Sequence, residues 1–407
     1  MAGVMRIGVA GRQARLGTRH RLAPGARAGA VADVAADLIA LHGTDPASVY
    51  LAVWARTSEL GSAAVEDALY QARSLVRMLG MRRTMFVVPA GQAPLIQAAC
   101  TDEISLRLRR NLAGTLQKAA VAPDAAGWLE EVCDATVEAL TRLGSATGAE
   151  LAKAEPRLAQ EITYAEDKSY GGTARISSQT LMLLSAQGRI MRGRPRGGWT
   201  SSQFYWHLPE AWLGGQAGAP YPSAARYSSA APARTELARR WLHTFGPAPV
   251  SDLQWWAGWT GGQTKAALAG LDVVDVELDG GPGVLLAGDE EPAPAGQPGA
   301  AQPWAALLPA LDPTPMGWKD RGWFLGDHAA ALFDRSGNIG PTIWWDGRIV
   351  GGWAQRKDGE IVCRLLEDAG AEAKAAVDGQ VEQLGEWLGE VRVTPRFRTP
   401  LERELTA

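Results

Sequence analysis

Arginine supplies the first chemical signal in these 407 residues, because it clusters where carboxylates are missing. Residues 1–32 contain no acid and hold Arg6, Arg12, Arg15, Arg19, Arg21 and Arg27. Residues 68–101 again contain none and hold Arg73, Arg77, Arg82 and Arg83. Residues 168–209 repeat the pattern with Lys168, Arg175, Arg189, Arg192, Arg194 and Arg196. A guanidinium is a planar, permanently charged fork that matches phosphate oxygens. The acids concentrate in 272–291 and 358–390, so a formal net charge of −3 conceals a segregated distribution. That total argues against a generic polyanion binder. A basic face on a near-neutral chain is nonetheless the footprint expected for nucleic acid. Chance clustering on a solvated surface fits the same pattern at this level.

Other chemistries lose ground. Cys100, Cys133 and Cys363 are the three cysteines and lie far apart. They form neither a disulfide framework nor a Cys-based zinc site, and suggest a reducing compartment. No GxGxxG follows a strand, and there is no Walker loop, HExxH or GxSxG. Dinucleotide, NTP, zinc-protease and serine-hydrolase readings therefore recede. The N-terminus carries arginine where a signal peptide needs an apolar core, and no apolar run is long enough to span a bilayer. A cytoplasmic, nucleoid-associated protein is expected.

One pattern recurs three times: three short helices, then a pair of strands. In the first, VADVAADLIALH (31–42) has Val31, Val34, Leu38 and Leu41 on one helical face. Asp45 and Pro46 read as cap and first-turn proline of a helix over 47–56. A third helix is expected over 64–79, and a strand over 82–90. In the second, AAGWLEEVCDATVEALTRLG, SATGAELAKAEP and ISSQTLMLLSAQG supply the helices, and RIMRGRPRGGWTSSQFYWH the strands. In the third, helices over 235–246, around VSDLQWWAGWT with Ser251 as cap, and over GGQTKAALAGL precede a hairpin turning at Asp279-Gly280-Gly281. This order is that of a winged helix, the helix-turn-helix variant whose third helix enters the major groove. Three small helical lobes with incidental hairpins are the plainer alternative.

Linkers are expected at 209–234 and 288–303, which are rich in Gly, Pro and Ala. Beyond them come short strands with turns at Asp346-Gly347 and Asp358-Gly359, and a helix carrying Ala373, Val377, Val381, Leu384 and Leu388 on one face. The expected fold is α+β: three tandem winged-helix units at 1–120, 121–215 and 216–290, then a C-terminal β-barrel with one helix at 291–407. Sixteen tryptophans exceed normal usage. Trp255, Trp256 and Trp259 have the spacing of a helix core, and Trp344, Trp345 and Trp353 alternate in strands.

LIALHGTDPASVYLAVWAR, ARSLVRMLGMRRTMFVVPA, RIMRGRPRG, LPALDPTPMGWKDR, WWDGRIVGGWAQ and RFRTPLERE together resemble the AlkZ/YcaQ-type winged-helix DNA glycosylases, from about Arg12 to Leu405. The resemblance implies three tandem winged helices and a β-barrel around a DNA channel. It implies hydrolysis of the N-glycosidic bond of alkylated purines, bulky or crosslinked N7-guanine adducts among them, in bacterial repair and antibiotic resistance. The better-known members carry Gln-x-Gln or Gln-x-Asp between the first two helices. Here the matching positions are His42 and Thr44, a His-x-Thr variant.

On that resemblance, His42, Thr44 and Asp45 are the candidate catalytic residues. An N7-alkylated guanine is already cationic and leaves without a general acid, so the enzyme must place a water and stabilise a developing sugar cation. Gln can only orient that water; neutral His can also accept its proton. The Thr44 hydroxyl holds the same water or a phosphate, at a helix N-terminus that favours anions. Asp45 caps the helix, orients His42 or supports the cation. A His closing a helix and a Thr bonding its own turn are the structural alternatives. Candidate DNA contacts are Arg12, Arg15 and Arg19 in an N-terminal arm; Lys168 and Arg175; Arg192, Arg194, Arg196, Trp199, Ser201, Ser202 and Gln203 on the second wing; and Arg348, Arg396 and Arg398. No lysine suits lyase chemistry, so a monofunctional, monomeric glycosylase acting on double-stranded DNA without metal or cofactor is expected. A non-catalytic winged-helix regulator or lesion sensor, and a drug-sequestering protein with a Trp-rich cleft, are the alternatives.

Overall fold

The computed structural model describes residues 4–164, 172–213, 229–290 and 303–407. An amphipathic helix, Val9–Arg19, replaces the expected N-terminal arm; it is followed by Val31–Asp37. That second helix stops five residues short of the expected end, because Ile39 takes a left-handed φ of 67°. A β-branched residue in that region breaks the helical path. The chain then forms a two-residue strand, Leu41–His42. Asp45 caps the helix Pro46–Trp54, which has proline in its first turn and is buried throughout.

The next helix, Ser62–Tyr70, ends well before residue 79, and Leu75–Gly80 is a strand and not its last turns. All six of those residues are buried. A continuous apolar run fits a buried strand and a buried helix equally, so periodicity alone misplaced it. Arg82 and Arg83, both at positive φ, lead into the strand Thr84–Pro89. A 17-residue helix, Asp102–Lys118, then follows, outside the recurring pattern.

The second stretch runs through the helix Ala125–Leu143, capped by Asp124, and the strand Ser145–Thr147. Thr147 and Glu150 form a reciprocal capping box that opens Gly148–Ala154. An additional hairpin, Glu161–Tyr164 with Gly172–Arg175, precedes the helix Ser177–Ala186 and the strands Met191–Pro195 and Phe204–His207. Ser145–Thr147 pairs with the last of these. Leu129, Val132, Leu140, Leu151, Leu184 and Trp206 fill the core beneath. The third stretch comprises Ala230–Phe245, Val250–Ala257, Gly261–Leu268 and the hairpin Val273–Leu278 with Gly281–Leu286. Ser251 lies inside the first turn there; Pro249 holds the cap position and Thr260 makes the capping box of the next helix.

The C-terminal strands do not close into a barrel. Ala305–Leu308, Thr342–Trp345, Arg348–Gln355 and Ile361–Leu365 form an open antiparallel sheet of four strands in that order. Four strands are about half of what encloses even a side-chain-filled barrel. The helix Gly370–Leu388 packs on the sheet through Ala305–Leu308, and Pro400–Leu405 ends the chain. Asp346 and Gly347, at φ 45° and 88°, form the tight hairpin turn that only such residues favour. A side chain at Gly347 would also strike the backbone of Gln13.

Two compact units result. One contains Met1–Leu75, Phe86–Pro89 and Arg234–Ala407; the other contains Val76–Met85 and Ala90–Ala233. Among the described residues no helix is long and apolar enough to cross a membrane.

Candidate active site and nucleic-acid interface

His42 ends the short strand Leu41–His42, opposite Phe86. It is 7% exposed, and its ring meets the Phe86 ring edge-on with centroids 5.5 Å apart. Its position on a strand removes the reading of a histidine closing a helix. Thr44 is half-buried in the bend that follows. The Asp45 carboxylate is enclosed and divided between two backbone donors. One oxygen accepts from Ala47 N at 3.2 Å, which caps the helix, and the other accepts from Arg396 N at 3.0 Å. Burial pushes the Asp45 carboxyl up from its ordinary pKa; the hydrogen bonds from Arg396 and Ala47 and the Arg396 charge pull the other way.

One turn into the helix, Ser48 Oγ donates to the Ala310 carbonyl at 2.6 Å. A small cleft lies at this helix end, lined by Asp45, Ser48, Leu51, Trp353, Val393 and Pro395 among others. The Arg396 guanidinium reaches back to the Thr44 carbonyl at 3.5 Å. Thus the fold brings Arg396 to Thr44 and Asp45, although it lies 351 positions beyond Asp45 in sequence.

The remaining candidates in this unit are placed differently. Arg12 is buried with its guanidinium 4.0 Å from the Trp323 ring centroid, and burial lowers its pKa to about 10. Arg15 donates to the Asp289 carbonyl at 3.0 Å. Arg19 spans the His243 carbonyl at 2.7 Å and the Asp289 carboxylate at 2.5 Å. Arg348 is paired with Glu367, which also meets His328 at 3.2 Å. Arg398 forms two hydrogen bonds to Glu402.

In the other unit, Arg192 lies 5.2 Å from the Trp206 ring centroid and 5.4 Å from that of Phe204. Arg194 and Arg196 project outward at the hairpin, and Trp199 is half-buried in its loop. Arg196 N donates to the Gln203 carbonyl, and Ser201 Oγ accepts from Gln203 N at 3.2 Å, which holds the loop in shape. Ser202 and Gln203 are exposed. Arg175 is exposed and 3.7 Å from Glu161. Lys168 falls outside the described residues.

Sequence reasoning did not find the most enclosed polar cluster. Arg56 and Asp312, both fully buried, pair at 2.6 Å. Thr314 Oγ1 accepts from Arg56 at 2.9 Å and lies 2.8 Å from His20 Nδ1. The His20 ring is stacked on Trp318, and burial lowers its pKa to about 3. The segment LPALDPTPMGWKDR contains Asp312, Thr314 and Trp318, so its pattern was a usable signal; Arg56 and His20 were not marked by anything local. The tryptophans are chiefly core: Trp256, Trp259, Trp344 and Trp353 are buried, and Trp255 and Trp345 half-buried. Among the described residues no three His, Cys, Asp or Glu side chains group as metal ligands.

A family model described as DNA glycosylase AlkZ-like matches residues 35–387. The chain belongs to the AlkZ-like DNA glycosylase family. Membership makes it a DNA glycosylase, a hydrolase of N-glycosyl bonds that binds DNA and serves DNA repair. Among solved structures, Streptomyces sahachiroi DNA glycosylase AlkZ is similar at a TM-score of 0.68 and 19% identity, over 96% of this chain and 100% of that one. At that identity the likeness is one of fold. No curated protein sequence matches the chain. In this AlkZ-like chain the His-x-Thr turn lies within the matched region, whereas the Arg396 tail lies beyond its end.

Proposed function

We propose that this glycosylase removes alkylated purines of the N7-guanine type, bulky or crosslinked adducts included, from double-stranded DNA. The observation that carries the proposal is the composition of residues 42–46: a buried imidazole, a half-buried hydroxyl and a capped helix N-terminus, closely spaced. In this reading His42 orients a water and takes its proton as the water attacks the sugar carbon. The cationic base leaves with the bonding electrons and needs no proton from the protein. Thr44 holds the water or the adjacent phosphate.

The recurring order of three helices and a strand pair, with a short strand after each of the first two leading helices, supports a winged-helix reading of all three stretches. On that reading the hairpin carrying Arg192, Arg194 and Arg196, with Trp199, Ser201 and Gln203 in its loop, contacts the DNA backbone. Lys168, Arg175 and Arg348 are supplementary contacts. Arg12 and Arg19 act indirectly, by anchoring their helix. The enzyme works as a monomer without a cofactor.

The test is base release from duplex DNA containing N7-methylguanine or a nitrogen-mustard crosslink, read as alkali-labile sites, for wild type and His42→Ala. A rate at least ~100-fold lower in the variant is expected for loss of a general base. Undiminished release discards the His42 assignment and keeps the enzyme. No release of either lesion by the wild type discards the substrate class.

A further inference from the structure

Of the candidate arginines in the unit that holds the turn, Arg396 differs from the others in one respect. Arg12 is buried under an aromatic ring, Arg19 and Arg348 are matched to carboxylates, and Arg398 is bound to Glu402. Arg396 is exposed, and among the described residues no carboxylate forms an ion pair with it. Its side chain lies beside the backbone of Thr44, on a tail whose path is fixed from two points. Gln355 accepts from Val393 N at 2.8 Å and donates to the Val391 carbonyl at 3.2 Å. Asp45 accepts from Arg396 N itself.

Asp45 is therefore a joint between two sequence-distant segments. One carboxylate oxygen sets the start of the helix that follows His42 and Thr44. The other sets the backbone from which the Arg396 side chain departs. A carboxylate offers two acceptor edges and no donor, so it serves both N–H groups at once. An asparagine keeps the cap but turns an NH2 toward one of the two N–H groups.

We infer that the Arg396 guanidinium is a phosphate clamp of the His-x-Thr turn, and that Asp45 is the residue that positions it. The inference rests on the turn being where the damaged strand is handled. It adds that the strand is gripped there by a cation that the C-terminal tail delivers. The ligand is a DNA phosphodiester, recognised by a charge-assisted fork.

The experiment measures the dissociation constant for a lesion-containing duplex against sodium chloride concentration, with thermal unfolding in parallel. It compares wild type, Arg396→Ala, Arg396→Lys, Asp45→Asn and the double variant Asp45→Asn/Arg396→Ala. Loss of one phosphate contact lowers the slope of log affinity against log salt by ~0.9. Arg396→Ala is expected to show that loss with an unchanged melting temperature, and Arg396→Lys to restore the slope. Asp45→Asn is expected to lose part of the same affinity, and the double variant to lose no more than Arg396→Ala alone. A slope unchanged in Arg396→Ala overturns the clamp. Fully additive losses in the double variant overturn the role of Asp45. Binding needs no base release, so a wild type that binds but releases nothing defeats the substrate proposal and leaves this test intact. A wild type that does not bind DNA overturns both.

Discussion

The N-terminal helix and the hairpin over 189–207 both come from stretches without a single acid, yet their arginines have opposite fates. Arg12 is covered by Trp323, and Arg15 and Arg19 converge on Asp289. Arg194 and Arg196 stand in solvent. The helix supplies one face to a core, and its arginines meet acids and carbonyls that lie more than 220 residues away in sequence. At the hairpin the side chains of Arg194 and Arg196 are exposed. Local absence of acids is thus a weak guide to a binding surface, because the counter-charge comes from elsewhere in the chain.

The extreme internal case is Arg56, and Asp312→Ala should have the largest effect. Removing one member of a fully enclosed pair leaves a buried uncompensated charge, a loss of about 3–5 kcal/mol. Urea unfolding measures it; a loss below 1 kcal/mol would mean that water reaches Arg56 readily. His20, in the same cluster, links stability to pH. Its folded pKa, about 3, lies below the unfolded value near 6.5, so the unfolded chain binds its proton first. The stabilisation is complete above pH 6.5 and declines as pH falls toward 3. Between pH 7 and 5 the wild type should lose about 2 kcal/mol through this group. His20→Gln should flatten that part of the profile, and an equal slope in both proteins removes His20 as its source.

The comparison itself is tested by contrasting Arg19→Ala with Arg194→Ala/Arg196→Ala. The first should cost about 1–2 kcal/mol of stability and leave the salt slope of DNA binding unaltered. The second should leave stability within about 0.5 kcal/mol of wild type and lower the slope by up to ~1.8. Exchanged results would invert the assignment of internal and external arginines. Arg175→Ala should have the smallest effect, under about 0.5 kcal/mol, because its pairing with Glu161 is exposed. A larger loss in thermal unfolding would mean that its hairpin depends on that pair.

Legibility followed locality. The cap at Asp45, the glycine turn at Asp346-Gly347 and the amphipathic helix Ala125–Leu143 were readable because each depends on residues within a few positions. Leu75–Gly80 was misread because a buried apolar run has no period to betray it, and the strand state is set by its pairing. The barrel was over-read: the alternating strands were present, but closure depends on strand number and tilt. Of the candidate site, residues 42–45 were legible through family resemblance, and Arg396 only as a basic residue of the tail.

The sequence by itself determined several of the helices, the Asp45 cap, the recurring order of elements and the family. Those follow from short-range backbone chemistry and from residue identities. Tertiary structure alone decided which arginines are internal and which outward-facing, and that Asp45 joins the helix start to the tail. It also enclosed His20, Arg56 and Asp312 in one cluster. The reason is that burial and charge pairing are properties of neighbours in space, and here those neighbours come from opposite ends of the chain.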